Sequence, residues 1–314
     1  MSGFPVPPRM NQVRASTINA GELMMEDGSA RREVTRLIRH HWNYRAARFD
    51  EDPEHGLHSE AQRAAWLQLL SRLAGDTPRR VLDAGCGTGV LATLFAELGH
   101  TVTGVDLAPL MIERARQKAK DAGVVVQYRL ENVDKLSDLD GSYDLVVARH
   151  VVWTLPDPAG TVKEWLRVLR PGGCLAIIEG QWAANRPAAV IPLPRRVLAR
   201  FRRLPDRLLY YAMRPSQWSH LLDRFRASLR RGVGGIVACA AQPAEWKAAL
   251  SRYRERKYAE THTQLPLYGG PLADQITALL AAQGLRDVRI EPLMDAALWG
   301  EAEMFQRYLA TGKR

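Results

Sequence analysis

The run Val81-Leu82-Asp83-Ala84-Gly85-Cys86-Gly87-Thr88-Gly89 carries the clearest chemistry in the chain. An acid precedes three alternating glycines, and a second acid, Asp106, ends the next apolar run. A turn without side chains at Gly85 and Gly87 lets a ligand lie directly against the backbone. A carboxylate at the tip of the following strand can accept hydrogen bonds from both hydroxyls of a ribose. The spacing D-x-G-x-G-x-G is not that of the dinucleotide fingerprint, because Leu91 and Ala92 stand where that fingerprint needs its last glycine. A turn of this kind suits a nucleoside without a pyrophosphate.

Such a turn must be held by a strand before it and a helix after it, and the flanking sequence supplies both. Residues 80–84 read as a buried first strand and residues 91–98 as a helix that stops at Gly99. Residues 101–106 alternate β-branched positions into a second strand, and Pro109 fits the first turn of the next helix. Further strands are expected at 124–130, 143–148 and 174–179, with a helix over 158–169 that ends before Pro171-Gly172-Gly173. A last helix at 273–283 precedes strands at 288–293 and 305–311. Ahead of the first strand, residues 32–49 and 59–73 have helical spacing, whereas 1–30 show no periodicity. Alternation of strands and helices predicts an α/β fold around a mostly parallel sheet.

With those elements in place the chain resembles the class I S-adenosylmethionine-dependent methyltransferases, and it is similar in particular to the ubiquinone/menaquinone methyltransferase-like group. Four blocks carry the resemblance in order: Asp83 to Gly89; Gly104-Val105-Asp106-Leu107-Ala108-Pro109 with Met111; Ser142-Tyr143-Asp144; and Arg167-Val168-Leu169-Arg170-Pro171-Gly172-Gly173. It covers about residues 40–180 and the last 45. It implies a Rossmann-like, doubly wound, mostly parallel seven-stranded sheet with an inserted helical lid, and S-adenosylmethionine as cofactor. It assigns Asp83 and the backbone of Gly85 and Gly87 to the amino acid end of the cofactor, with Cys86 and Gly89 beside them. Asp106 would take the ribose and Leu107 the adenine, with Met111, Val133 and Arg149 as further lining residues. Asn132 stands where the family usually has an acid for the adenine amino group; its side-chain carbonyl can accept the same bond. The segment His41-Trp42-Asn43-Tyr44 to Phe49-Asp50 resembles the piece that folds over the cofactor in small-molecule members, which would turn Tyr44 to the methionine end.

Methyl transfer from a sulfonium asks the protein to align the acceptor and exclude water, so neither a catalytic triad nor a metal site is expected. Ligands of open α/β sheets sit beyond the carboxyl ends of the strands. There the sequence offers Arg149-His150-Val151-Val152-Trp153 and Glu179-Gly180-Gln181-Trp182. His150 is a candidate general base, because an ordinary imidazole titrates near neutral pH; a purely local hydrogen-bonding role is the competing reading. Tyr268, in Leu265-Pro266-Leu267-Tyr268-Gly269-Gly270, is a second candidate base, or part of an ordinary turn.

Net charge adds a different kind of information. The 314 residues sum to +10, yet residues 190–260 alone hold sixteen basic and five acidic groups, leaving the remainder within one charge of neutral. On a helical wheel over 195–209, Val197, Leu198, Phe201, Leu204, Leu208 and Leu209 fall within about 140°, with arginines on the rest. Three readings follow: a lid whose arginines face water, a peripheral membrane contact through residues 190–231, or a nucleic-acid contact. The loop that amino-directed nucleic-acid methylases place after the fourth strand is missing at 149–153, and no nucleic-acid partner is expected.

Four parts are expected: a flexible 1–30, a cofactor-binding core with cap helices at 31–182, a basic helical insertion at 183–271, and a C-terminal completion at 272–314. The absence of an apolar leader, of any run of about 18 apolar residues, and of paired spacing among Cys86, Cys174 and Cys239 suggests a cytoplasmic protein. The expected activity is methyl transfer to an O, N, S or C nucleophile of a small molecule such as a secondary metabolite, a quinone or a lipid-like acceptor. An RNA methyltransferase and a non-catalytic S-adenosylmethionine-binding protein are the alternatives. The oligomeric state is left open.

Overall fold

The structure is a computed structural model that describes residues 28–181, 243–263, 265–299 and 306–314. Its centre is a seven-stranded sheet: β1 (Arg80–Ala84), β2 (Thr101–Asp106), β3 (Gln127–Leu130), β4 (Tyr143–Arg149), β5 (Leu169–Gly180), β6 (Arg286–Pro292) and β7 (Arg307–Lys313). They lie in the order β3-β2-β1-β4-β5-β7-β6. The first five are parallel, and β7 runs antiparallel to both β5 and β6. The chain winds outward through β1, β2 and β3, then returns to lay β4 on the other side of β1. That reversal opens a crevice beyond the carboxyl ends of β1 and β4, where open α/β sheets bind ligands.

Alternate residues of each strand feed two cores. On one face Leu82, Val146, Leu175 and Ile177 pack against α5 (Pro158–Val168) and α7 (Ala273–Ala282) through Trp165, Ile276 and Leu280. On the other, Val81, Val147 and Ile178 meet α2 (Glu60–Ala74), α3 (Val90–Glu97) and α4 (Pro109–Asp121) through Trp66, Leu70, Phe95 and Ile112. Both buried tryptophans satisfy their indole N–H: Trp165 donates to the Val133 carbonyl (3.1 Å) and Trp66 to the Leu298 carbonyl (2.8 Å). The helix starts follow the sequence signals. Ser59 caps α2 by accepting from Gln62 N, Asp157 caps α5 by accepting from Gly160 N, and Pro109 and Pro158 open α4 and α5.

The expected boundaries shift where pairing decides them. Residues 124–126 precede the first partner pair, Thr103 with Gln127, so the third strand begins later than its valines suggest. β5 starts at Leu169 because Tyr143 pairs there before a register shift brings Leu145 to Cys174. α1 (Gly28–Arg45) ends before Phe49, and Ala46–Glu51 tightens into a 3-10 turn. α6 (Pro243–His262) and the short α8 (Ala296–Trp299) complete the described helices. Tyr258 of α6 and Leu265 pack with Val34, Leu37 and Ile38 of α1 in a separate small core.

The chain divides into two compact units, one of residues 185–252 and one of all the rest. The expected amphipathic stretch 195–209 and the apolar set Trp218, Leu221, Leu222, Phe225 and Leu229 lie outside the described residues. Among the described residues no helix is long and apolar enough to cross a membrane.

Candidate active site

The glycine turn leaves β1 at its carboxyl end. Gly85, Gly87 and Gly89 have φ of 75°, 53° and 79°, a region that side chains strain. The amides of Gly85 and Cys86 both donate to the Val105 carbonyl (2.8 and 2.9 Å), which ties the turn to β2. Asp106, at the tip of β2, closes the arrangement: one carboxylate oxygen accepts from Gly87 N (3.0 Å) and the other from Ala108 N (2.8 Å). Burial pushes its carboxyl up to about 6, against the pull of those amides. A carboxylate has about four acceptor positions, so these amides do not exhaust them.

Asp83 lies just below the turn, 2% exposed, and accepts from Ala92 N of α3 (3.0 Å). Burial raises it to about 7, with the Ala92 amide and the Arg149 charge opposing the rise. A Cβ on Gly85 would meet Val151 at 2.5 Å, and one on Gly87 would touch the Phe49 ring at 3.4 Å. The bare turn therefore lies between the loop after β4 and an aromatic roof. A nucleoside with a cationic amino acid tail fits this set: a side-chain-free cradle, a carboxylate with spare acceptor positions, and a second buried acid nearby.

The roof is the segment from α1 through His58, and charged contacts hold it down. Arg31 reaches Asp134 and Asp157 (3.0 and 2.9 Å), and the Asn43 carbonyl accepts from Leu110 N (2.9 Å). The Thr88 hydroxyl donates to Asp50 (2.5 Å), and Lys118 donates to both Asp50 (2.9 Å) and Thr88 (3.1 Å). Arg149 donates to the carbonyls of Glu54 and His55, with its guanidinium 4.5 Å from the Trp66 ring centre. Arg307 reaches Glu54 (3.1 Å).

The aromatic residue that reaches the turn is Phe49. Tyr44 is 58% exposed, because α1 stops one residue later and the 3-10 turn carries Phe49 inward. Met111 is buried with Ala46 and Ala108, against Trp42 and Phe49. Leu107 is half-buried beside the α1 core, and Val133 packs in the sheet core. The Asn132 carbonyl oxygen faces Asp134 N at 3.5 Å in a local turn. The Arg149 side chain is bonded to the roof.

His150 stands at φ 58°, with its ring 5.8 Å from that of His55 and 5.9 Å from that of Trp299. Burial, then the charges of Arg149, His55 and Arg307, hold it well below the usual imidazole range. Burial lowers His55 to about 4, opposed by Asp52. Near neutral pH both rings are therefore neutral, and His150 is a weak proton acceptor. Tyr268 is 42% exposed and packs edge-on against His262 at 4.6 Å, with neighbours distinct from those of His150.

Two acidic residues that the sequence places in this region without a role acquire one in the structure. Asp50 closes the roof on the glycine turn. Glu179, fully buried at the end of β5, accepts from Val152 N (2.7 Å) and so fixes the loop that carries His150 and Trp153. Burial pushes Glu179 up to about 8, against the nearby amides of that loop. One acid closing the apolar run Leu175-Ala176-Ile177-Ile178 is the signal that could have found it.

Residues 82–177 match the family described as "Methyltransferase domain". The ubiquinone biosynthesis O-methyltransferase of Xanthomonas euvesicatoria pv. vesicatoria is 36% identical over 127 residues, 40% of this chain and 52% of that protein. The enzyme of the same name from Paracidovorax citrulli is 41% identical over 113 residues, covering 35% and 46%. The chain thus spans about half the length of the curated relatives it matches. A Thermotoga maritima structure described as a possible histamine N-methyltransferase is 15% identical over 89% of this chain and 99% of that one, with a TM-score of 0.46. Residues 82–177, which run from β1 to β5 and enclose a bare turn between two buried acids, thus match a methyltransferase domain.

Proposed function

We propose that the protein moves a methyl group from S-adenosylmethionine to an oxygen of a small, flat acceptor of phenol or quinone type. The observation that carries the cofactor half is Asp106, which grips Gly87 and Ala108 through both oxygens and keeps spare acceptor positions beside the bare turn. The names of the relatives support the acceptor half.

When bound, the cofactor supplies an activated methyl group on a sulfonium, so the protein's tasks are alignment and dryness. Asp106 would accept the ribose hydroxyls, and Asp83, once ionised, would give the cationic tail an opposite charge. Phe49 covers the turn, and Trp42 sets its edge against both Phe49 (5.8 Å) and Trp153 (6.2 Å), which walls the crevice with aromatic surface. As the acceptor oxygen gains the methyl group its hydroxyl proton must leave, and a neutral His150 or solvent would take it. In sequence, the charge of 190–260 and the apolar spacing within 195–209 support a role for that segment in selecting an apolar acceptor.

The test is transfer of labelled methyl from S-adenosylmethionine to a panel of catechols and hydroxyquinones, with transfer RNA and histamine alongside. Labelling of a phenolic oxygen is the expected result; labelling of RNA alone would sink the reading. Making the apolar stripe of 195–209 polar, with Phe201 and Leu204 changed to serine, should abolish transfer and leave S-adenosylhomocysteine binding intact. Unchanged turnover would remove the cover.

A further inference from the structure

We propose that Tyr128 is a positioning residue for the glycine turn, and that Gly104 and Gly89 lack side chains to make room for its ring rather than for the cofactor. Tyr128 sits on β3, paired in register with Gly104 of β2, and both belong to the face that packs under α3 and α4. A Cβ built on Gly104 would lie 2.7 Å from both Cδ1 and Cε1 of the ring and 3.1 Å from the Cys86 sulfur. Real contacts of that kind essentially never fall under 3.0 Å. Glycine inside a strand marks such a close approach. The ring crosses β2 over Gly104 and ends under the turn: a Cβ on Gly89 would overlap the hydroxyl and lie 3.1 Å from Cζ, with Ala115 of α4 at 2.8 Å.

One side chain from an edge strand thus touches two parts of the machinery, the strand that ends in Asp106 and Gly89, where α3 begins, while the Cys86 sulfur closes on the same Gly104. The ring is buried, and its rigid plane transmits position as a flexible side chain of similar size would not. The glycine pattern of this chain therefore has two causes. Gly85 and Gly87 face the crevice, where Val151 and Phe49 stand; Gly89 and Gly104 face Tyr128. The inference rests on the turn being the cofactor site.

S-adenosylhomocysteine binding by calorimetry, well below each variant's unfolding temperature, reads positioning without reading stability. The full chain and Asp106→Ala set the scale. Tyr128→Leu is expected to weaken binding about tenfold, and Tyr128→Phe to stay within about twofold, because the ring does the work. Gly104→Ala should weaken binding by a similar factor, and the pair Gly104→Ala with Tyr128→Leu should bind no worse than Tyr128→Leu alone, since the clash has gone. Tyr128→Met, a flexible side chain of similar volume, replaces Tyr128→Leu should the latter not fold. Wild-type affinity in the Tyr128 variants beside a weakened Asp106→Ala would overturn the proposal and leave the cofactor site standing. Losses that simply add in the pair overturn it too. A full chain that does not bind S-adenosylhomocysteine overturns the site itself, and the proposal with it.

Discussion

The floor and the roof of the site are built on opposite plans. The floor is made of backbone: Gly85, Cys86, Gly87, Ala92 and Ala108 all donate amides, and their acceptors are the Val105 carbonyl and two acids within one β-α-β stretch. The roof is held by side chains from distant places: Arg31 with Asp134 and Asp157, Asp50 with Lys118, Arg149 and Arg307 with residues 54 and 55. Amide-to-carboxylate bonds within one stretch of backbone are more fixed than side-chain pairs between distant elements, which here range from buried, as in Arg307 with Glu54, to part-exposed, as in Lys118 with Asp50. The floor is therefore a preformed mould, and the roof is a set of separable fastenings.

That contrast can be broken by experiment. The largest effect is expected at Asp106→Ala, which removes the ribose acceptor and leaves two amides unpaired; S-adenosylhomocysteine affinity should fall about a hundredfold in calorimetry. Affinity close to wild type would mean that the floor is not where the cofactor is held. Arg149→Met should act on the roof instead. Loss of its carbonyl contacts and of the stack on Trp66 should cost about 2 kcal/mol of stability, seen as a lower Tm, while cofactor affinity changes by less than about fivefold. A hundredfold loss of affinity there would erase the distinction between the two regions.

A smaller, graded effect follows from the acids of the floor. Burial raises Asp106 to about 6 and Asp83 to about 7, so near pH 6 the ligand-free protein still holds protons on them. Hydroxyls and a cation both favour the ionised acids, so binding releases protons, and affinity should rise severalfold from pH 5.5 to 8 and then level off. The same shifts act oppositely on ligand-free stability. A folded acid with a raised pKa binds more protons than the unfolded chain, so its contribution is complete below about pH 4 and is lost as pH rises through the folded value. With Glu179 raised to about 8, the ligand-free Tm should fall between pH 6.5 and 8, above the range in which His55 titrates. A flat affinity profile, or a Tm that climbs over that interval, would show that these acids are ionised throughout.

The same contrast explains what the sequence discloses. The floor is legible because its partners are close in the chain: Asp83 binds an amide nine residues on, and Asp106 reaches back nineteen. The α/β alternation and the helix starts near 59 and 158 are readable for the same local reason. The roof is not legible, because nothing near Asp50 in sequence points to Lys118, and nothing near Arg31 points to Asp157. Tyr44 looks the better aromatic on pattern alone; only the tightening of the chain after Arg45 selects Phe49. The late start of β3 is a pairing effect as well, since Val125, 92% exposed, has every local reason to be in a strand.

The bond between Arg307 and Glu54 spans 253 residues, and Arg307 is the first residue of β7, the strand that enters the sheet between β5 and β6. Closing so long a loop is slow and entropically costly compared with forming a β-α-β unit. During folding, the mould can assemble from its own neighbourhood, but this fastening of the roof must wait until the last strand has docked. The last fastening of the roof and the final step of folding are thereby coupled through one side chain.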